Sequence, residues 1–284
     1  MGAALTDEQQ RVLAWADAHR RDLPWRDTRD PWAVLVSEVM LQQTQVDRVV
    51  HRWQRFLDRW PDTSACATAS LADVLGEWQG LGYPRRAKAL HSAAQEIQDH
   101  HGGRFPDRLE QLLALPGIGP YTARAVLAFA FEQDVAVLDT NVGRILARRS
   151  GGSLTPRVAQ ASADAWVPSG HGWAWNQGLL DLGATRCRPT APRCGDCPVA
   201  VSCEWRRRGH PAPDPAAGSA SVSRRQARFE GSARQARGKL LAALTEGPLT
   251  SGQVAAGHAD EVVESLVADG LVERDDTGAL RLPG

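Results

Sequence analysis

Residues 111–131 read QLLALPGIGPYTARAVLAFAF. The apolar helical pattern QLLAL runs out at Pro116, and a second one, YTARAVLAFAF, starts near Pro120. Between them Gly117 and Gly119 leave backbone N–H groups bare at the head of the second helix, where the helix dipole adds positive potential. That is a seat for a phosphate oxygen; an ordinary helix–turn–helix junction would use glycine there for backbone freedom alone. Either way the pattern is helical, and the neighbouring sequence agrees. Across residues 1–210, apolar stripes of 3.6-residue period recur and strict alternation is scarce. Thr6, with Gln9 three positions on, is expected to cap a first helix. Asp30 is expected to cap a second, with Pro31 in its first turn and WAVLVSEVML following, and Thr44 a third over residues 45–60. Residues 211–233, rich in Pro, Ala, Ser and Gly, read as a linker. Residues 234–284 then suggest three helices and a hairpin turning at Thr277-Gly278, a small winged-helix-like unit.

A chain of 284 residues can bury one substantial core and carry a second, smaller unit. No apolar run reaches the ~18 residues of a membrane span, and the opening MGAALTDEQQ lacks a basic-then-apolar leader, so no membrane partner and no export are expected. Acidic and basic side chains balance at 33 each, so bulk charge announces no polyanion. Arginines cluster locally, at 85, 86, 144, 148, 149, 186, 188, 193 and 206–208, as solvated faces or as phosphate contacts.

Four of the five cysteines, Cys187, Cys194, Cys197 and Cys203, follow the spacing C-x6-C-x2-C-x5-C. Disulfides, a zinc site and an iron–sulfur cluster compete for them. The uneven gaps, with only one short pair, suit a loop wrapped around a cluster better than the paired short spacings of zinc loops. Cys66 stands apart and reads as a small core residue. Two carboxylates stand out. Glu38 lies in the apolar run WAVLVSEVML; if that surface is buried, desolvation keeps it protonated and fit to act as a general acid. If instead it lies on a narrow solvent strip beside Ser37, it does nothing. Asp139, in AVLDTNVGRIL, falls at the head of a helix, where it is a cap and can be more only if a cleft opens above it.

The segments SEVMLQQTQV, GLGYPRRAKALH, LPGIGPYTARAVLAFAF, LDTNVGRILAR, WNQGLLDLGATRC and the cysteine quartet occur in this order. In that order and combination the chain resembles the MutY-type adenine DNA glycosylases of the helix-hairpin-helix superfamily, over residues 5–210. The resemblance implies a mainly α fold: a six-helix barrel domain with the helix-hairpin-helix over 31–135, and an iron–sulfur cluster domain from 1–30 and 136–210. It implies a [4Fe–4S] cluster on the four cysteines, and a double-stranded DNA partner carrying A·8-oxoguanine or A·G mispairs. A monomer acting in the cytoplasm at the nucleoid goes with this. By resemblance Glu38 protonates the flipped adenine, Asp139 stabilises the sugar cation, and Tyr121 and Asn141 help position that chemistry. Trp25, Arg26 and Gln177 match the adenine pocket. Gln43 and Tyr83 match side chains that wedge into the duplex. Gly117 and Gly119, with Arg188 and Arg193 of the cysteine loop, are expected at phosphates. Endonuclease III-like relatives carry a lysine where Tyr121 stands; tyrosine forms no Schiff base, which implies a monofunctional glycosylase without lyase activity. Two departures stand out: GLGYP replaces the frequent GLGYY, and the 81 residues after Cys203 do not resemble the NUDIX-like domain of longer members. The rival readings are a thymine glycosylase acting on T·G mismatches and a non-catalytic iron–sulfur DNA-binding regulator.

Overall fold

The computed structural model describes residues 4–222 and 228–284. It is mainly helical, as expected, and forms two compact units: Met1–Arg29 with Pro120–Arg225, and Asp30–Gly119 with Gln226–Gly284. Among the described residues, no helix is long and apolar enough to cross a membrane.

In the unit built on Asp30–Gly119, the central element is the helix Pro31–Leu41. Asp30 caps it by accepting from Trp32 N at 3.0 Å, and Pro31 sits where no N–H is needed. Trp32 through Met40 are all buried, as suits a helix apolar on every face. Neighbouring tryptophans pin it: Trp53 Nε1 donates to Ala33 O at 2.8 Å, and Trp32 Nε1 to Trp60 O at 2.9 Å. Thr44 does not cap the next helix, Val46–Arg59; Gln45 occupies that position without a side-chain cap. The Thr44 hydroxyl is instead taken up by Leu81 O, to which it donates, and by Arg86, from which it accepts. The hairpin turn follows the helix Leu109–Ala114, with Gly117 at φ +73°; a Cβ there would lie 2.4 Å from the Ala89 Cβ of the helix Arg85–His101. Both conformation and space therefore require glycine at 117. At Gly119 a Cβ would meet nothing within 4 Å, so that glycine leaves open space rather than permitting a close contact.

The C-terminal helices Ala233–Glu246, Ser251–Gly257 and Asp260–Ala268 and a two-stranded antiparallel hairpin, Glu273 opposite Arg281 and Arg274 opposite Leu280, share a core of Leu240, Leu244, Val263, Leu266, Leu271 and Leu280. Read from the sequence as a unit of its own, this segment clusters with residues 30–119. Asp269 is the clamp: Arg85 and Arg237 both ion-pair with its carboxylate, and Lys88 Nζ donates to its backbone carbonyl at 2.8 Å.

In the other unit, the helices Asp7–His19, Thr140–Ser150 and Gly172–Thr185 pack around Val12, Trp15, Ile145, Leu146, Trp175 and Leu182. Thr6 and Gln9 form the expected capping box. The described part of the expected linker, residues 211–222, is not free chain. Asp214 ion-pairs with Arg148 at 2.6 Å, and Ala220 N donates to Leu154 O at 2.9 Å. Ala216 and Ser219 are buried. Small residues made this stretch look like a spacer, but they also let its backbone lie close on the Thr140–Ser150 helix, where a Cβ at Gly143 would come within 2.7 Å of Ala220 O. Residues 223–227 of that expected linker lie outside the described residues.

Candidate active site and cysteine loop

Asp139 caps the helix Thr140–Ser150. One carboxylate oxygen accepts from Asn141 N at 2.8 Å and Val142 N at 2.7 Å; the other accepts from Asn141 Nδ2 at 2.8 Å. Burial pushes the Asp139 carboxyl above the usual carboxylate range, against the pull of these donors and of the Arg144 guanidinium. The residue as a whole is half-buried. Residues whose sequence context points to no part in the site hold it in place. Asn176 accepts from Val137 N at 2.8 Å and donates to Val135 O at 2.9 Å, fixing the segment that delivers Asp139. Arg144, buried, donates to Asn141 Oδ1 at 2.8 Å, to Gly183 O at 2.7 Å and to Cys187 O at 2.5 Å. Gly183 is also the floor beneath Asn141, since a Cβ there would lie 2.4 Å from the Asn141 Cβ. Tyr121, half-buried, opens the helix Pro120–Phe129 of the same unit.

Of the residues expected at an adenine pocket, Trp25 and Arg26 lie in the short turn Pro24–Arg26 and Gln177 on the helix Gly172–Thr185; all three are buried. Arg26 forks onto Asp181, Nη1 to Oδ2 at 2.7 Å and Nη2 to Oδ1 at 2.9 Å, and Arg21 Nε adds a third bond at 2.5 Å. Burial works to raise the Asp181 carboxyl, but the two guanidiniums hold it below the usual range. Arg26 thus has a structural partner, one turn from Gln177, that its sequence context did not announce.

In the unit of residues 30–119, Glu38 is 5% exposed and Ser37 beside it 1%, so no solvent strip runs along that helix. Downstream, Gln43 and Tyr83 both take left-handed backbone conformations, at φ +57° and +50°. Such strain in non-glycine residues persists only where surroundings enforce it. Arg86 is the enforcer. Its guanidinium donates to the carbonyls of Val39 (2.7 Å), Met40 (3.1 Å) and Gln42 (2.6 Å) from one nitrogen, and to those of Leu81 (3.0 Å) and Gly82 (2.9 Å) from another. Burial lowers its pKa to about 10, leaving it charged at neutral pH. Arg86, Arg144 and Arg148 are therefore spent on partners within the protein, and Arg149 pairs with Glu8 at 2.7 Å, while Arg85 pairs with Asp269 at the surface and stays exposed.

Cys187, Cys194, Cys197 and Cys203 line one small cavity with Arg148, Arg193 and Trp205. Arg148 Nη1 lies 3.5 Å from Cys187 Sγ, and Cys203 Sγ donates to Arg148 O at 3.4 Å. Burial first, then repulsion among the sulfurs, raises the thiols of Cys194 and Cys203 and pushes Cys197 up to about 12. Among the described residues, no three His, Cys, Asp or Glu side chains are drawn together as a single metal ion needs. Four thiols lining one cavity, repelling as they ionise, make an all-thiolate donor set of the kind that can hold an iron–sulfur cluster. Arg193 is exposed, while Arg188, half-buried, donates to Ala191 O at 2.9 Å. Cys66 is fully buried and its thiol pushed up to about 12, the inert core residue expected.

A family profile for the HhH-GPD superfamily of base excision DNA repair proteins matches residues 36–169. An adenine DNA glycosylase of Mycobacterium tuberculosis (strain CDC 1551 / Oshkosh) is 44% identical over 96% of this chain and 92% of its own length. The chain belongs to the adenine DNA glycosylase family. A second relative of that name, from Mycolicibacterium smegmatis, is 42% identical over 96% of this chain and 95% of its own. Among solved structures, a thermostable thymine-DNA glycosylase superposes with a TM-score of 0.67 at 29% identity, covering 70% of this chain and 94% of its own. The helix-hairpin-helix glycosylase fold implied by the resemblance is thus present, and the family is one of DNA-repair enzymes that includes iron–sulfur members.

Proposed function

We propose that this protein is a monofunctional adenine DNA glycosylase that removes adenine mispaired with 8-oxoguanine or guanine. The observation that carries the reading is the Asp139 carboxylate, held by three N–H donors and backed by Arg144. Such an anion, fixed before substrate arrives, is suited to positive charge developing on a sugar. The reaction needs an extruded adenine, because its glycosidic bond is out of reach within a stacked duplex. Glu38 gives its proton to the purine, the C1′–N9 bond breaks with its electron pair leaving on adenine, and Asp139 stabilises the oxocarbenium-like sugar, directly or as a transient ester. Water then adds at C1′, its proton restores the acid, and an abasic site remains. Asn141 orients the Asp139 carboxylate and Tyr121 helps position the sugar. No Schiff base forms at Tyr121, so the strand stays intact.

Trp25 and Gln177 shape the adenine pocket, with Arg26 bracing it through Asp181. Gln43 and Tyr83 enter the duplex on the strand opposite the target; Gly117, Gly119, Arg188 and Arg193 meet phosphates. The four cysteines would hold a [4Fe–4S] cluster, which orders their loop when bound. Action as a monomer at the nucleoid accords with this role. The test is single-turnover excision on duplexes carrying A·8-oxoguanine, A·G and T·G, developed with and without alkali. Adenine release from the first two, with strand scission only after alkali, is expected. Release of thymine but not adenine, or scission without alkali, contradicts the proposal.

A further inference from the structure

The strand opposite the target base needs a partner too, and the C-terminal segment supplies half of a groove suited to it. The helix Ala233–Glu246 and the residues before it face the turn that carries Tyr83 across a groove of ≈ 620 Å³. Among the described residues, three aromatic rings line it, Trp78, Tyr83 and Phe229, and three cations, Arg48, Arg234 and Lys239, with no acidic residue in that lining. Phe229 is 55% exposed, unusual for so large an apolar residue. Arg234 Nη1 donates to the Tyr83 hydroxyl at 2.8 Å, and its guanidinium lies 5.7 Å from the Tyr83 ring and 5.9 Å from that of Phe229. Arg86 holds the turn before Tyr83 by donating to Gly82 O at 2.9 Å, with its guanidinium 5.5 Å from the Tyr83 ring, and Arg237 ties the C-terminal helix to Asp269. Rings interleaved with cations suit one chemistry well: a nucleic-acid strand whose base stacks while its phosphates pair.

We propose that this groove binds a nucleotide of the DNA strand opposite the excised adenine, its base stacked on Phe229 and its phosphates on Arg48 and Lys239. The inference rests on the reading above that Tyr83 enters the duplex on that strand. In the full chain, Phe229→Ala should weaken binding to an A·8-oxoguanine duplex about tenfold. The double variant Arg48→Ala/Lys239→Ala should lower the salt dependence of binding by about two phosphates' worth. Excision at saturating enzyme should stay at the wild-type rate in both, with unchanged thermal midpoints. A 5-iodo-deoxyuridine beside the lesion in the opposite strand should photo-crosslink to residues 229–239. Wild-type affinity and salt slope in the variants, or crosslinks from the target strand alone, would overturn the groove's assignment. Failure of the wild type to release adenine would sink the underlying reading instead, so the two outcomes are separable.

Discussion

Asp139 caps a helix with one carboxylate oxygen and holds Asn141 with both, yet burial makes its charge expensive. The consequences for activity and for stability have opposite signs. If Asp139 must be ionised to steady the sugar cation, kcat/KM falls as pH drops through its raised pKa, so the acid limb lies above the ordinary carboxylate range. An acid limb at the pKa of a free aspartate would contradict that. For stability, a carboxyl whose folded pKa exceeds its unfolded one binds its proton more tightly in the native state. From this group alone, the wild type gains stability as pH falls through the raised value and loses it above. Asp139→Asn keeps the cap, removes the buried charge and should flatten that part of the pH–stability curve. The same variant should lose ~10²-fold or more of the excision rate. Thermal melts across pH, paired with single-turnover assays, read both effects. Gly183→Ala is the subtler counterpart: its Cβ would displace Asn141 and, through it, the carboxylate. The rate should fall while duplex affinity holds.

Among the elements, the hairpin turn and the Arg86 junction decide local order. Gly117→Ala puts a Cβ against Ala89 at a left-handed position and should destabilise by about 2 kcal/mol, seen as a lower denaturant midpoint. Arg86→Ala strips charged donors from five carbonyls across two turns, and a loss of about 3 kcal/mol is expected. A variant as stable as the wild type would show those bonds to be incidental. These elements also mark what the sequence disclosed. Caps at Thr6, Asp30 and Asp139 were legible because capping is a local rule linking one side chain to N–H groups two or three residues on. Thr44 failed as a cap because Leu81 and Arg86, distant in sequence, claimed its hydroxyl. Arg144, Asn176 and Gly183 were not legible as parts of the site. Their partners are backbone carbonyls and close contacts that no residue pattern encodes.

At the scale of the whole molecule, the cysteine loop and Asp139 belong to one unit and share Arg144, whose guanidinium bonds both Cys187 O and Asn141. Disordering the loop should therefore be felt at the carboxylate. Cys197→Ser is expected to lower iron and acid-labile sulfide content, and with it thermal stability and excision; full iron content and wild-type activity would refute the four-thiolate ligation. Glu38, in the unit of residues 30–119, is proposed to supply the proton that makes adenine a leaving group. The most direct measurement of that claim is single-turnover excision by Glu38→Gln on an A·8-oxoguanine duplex, with binding to the same duplex measured in parallel. The account predicts a rate lower by ~10²-fold or more with affinity preserved. Adenine release at the wild-type rate would contradict it.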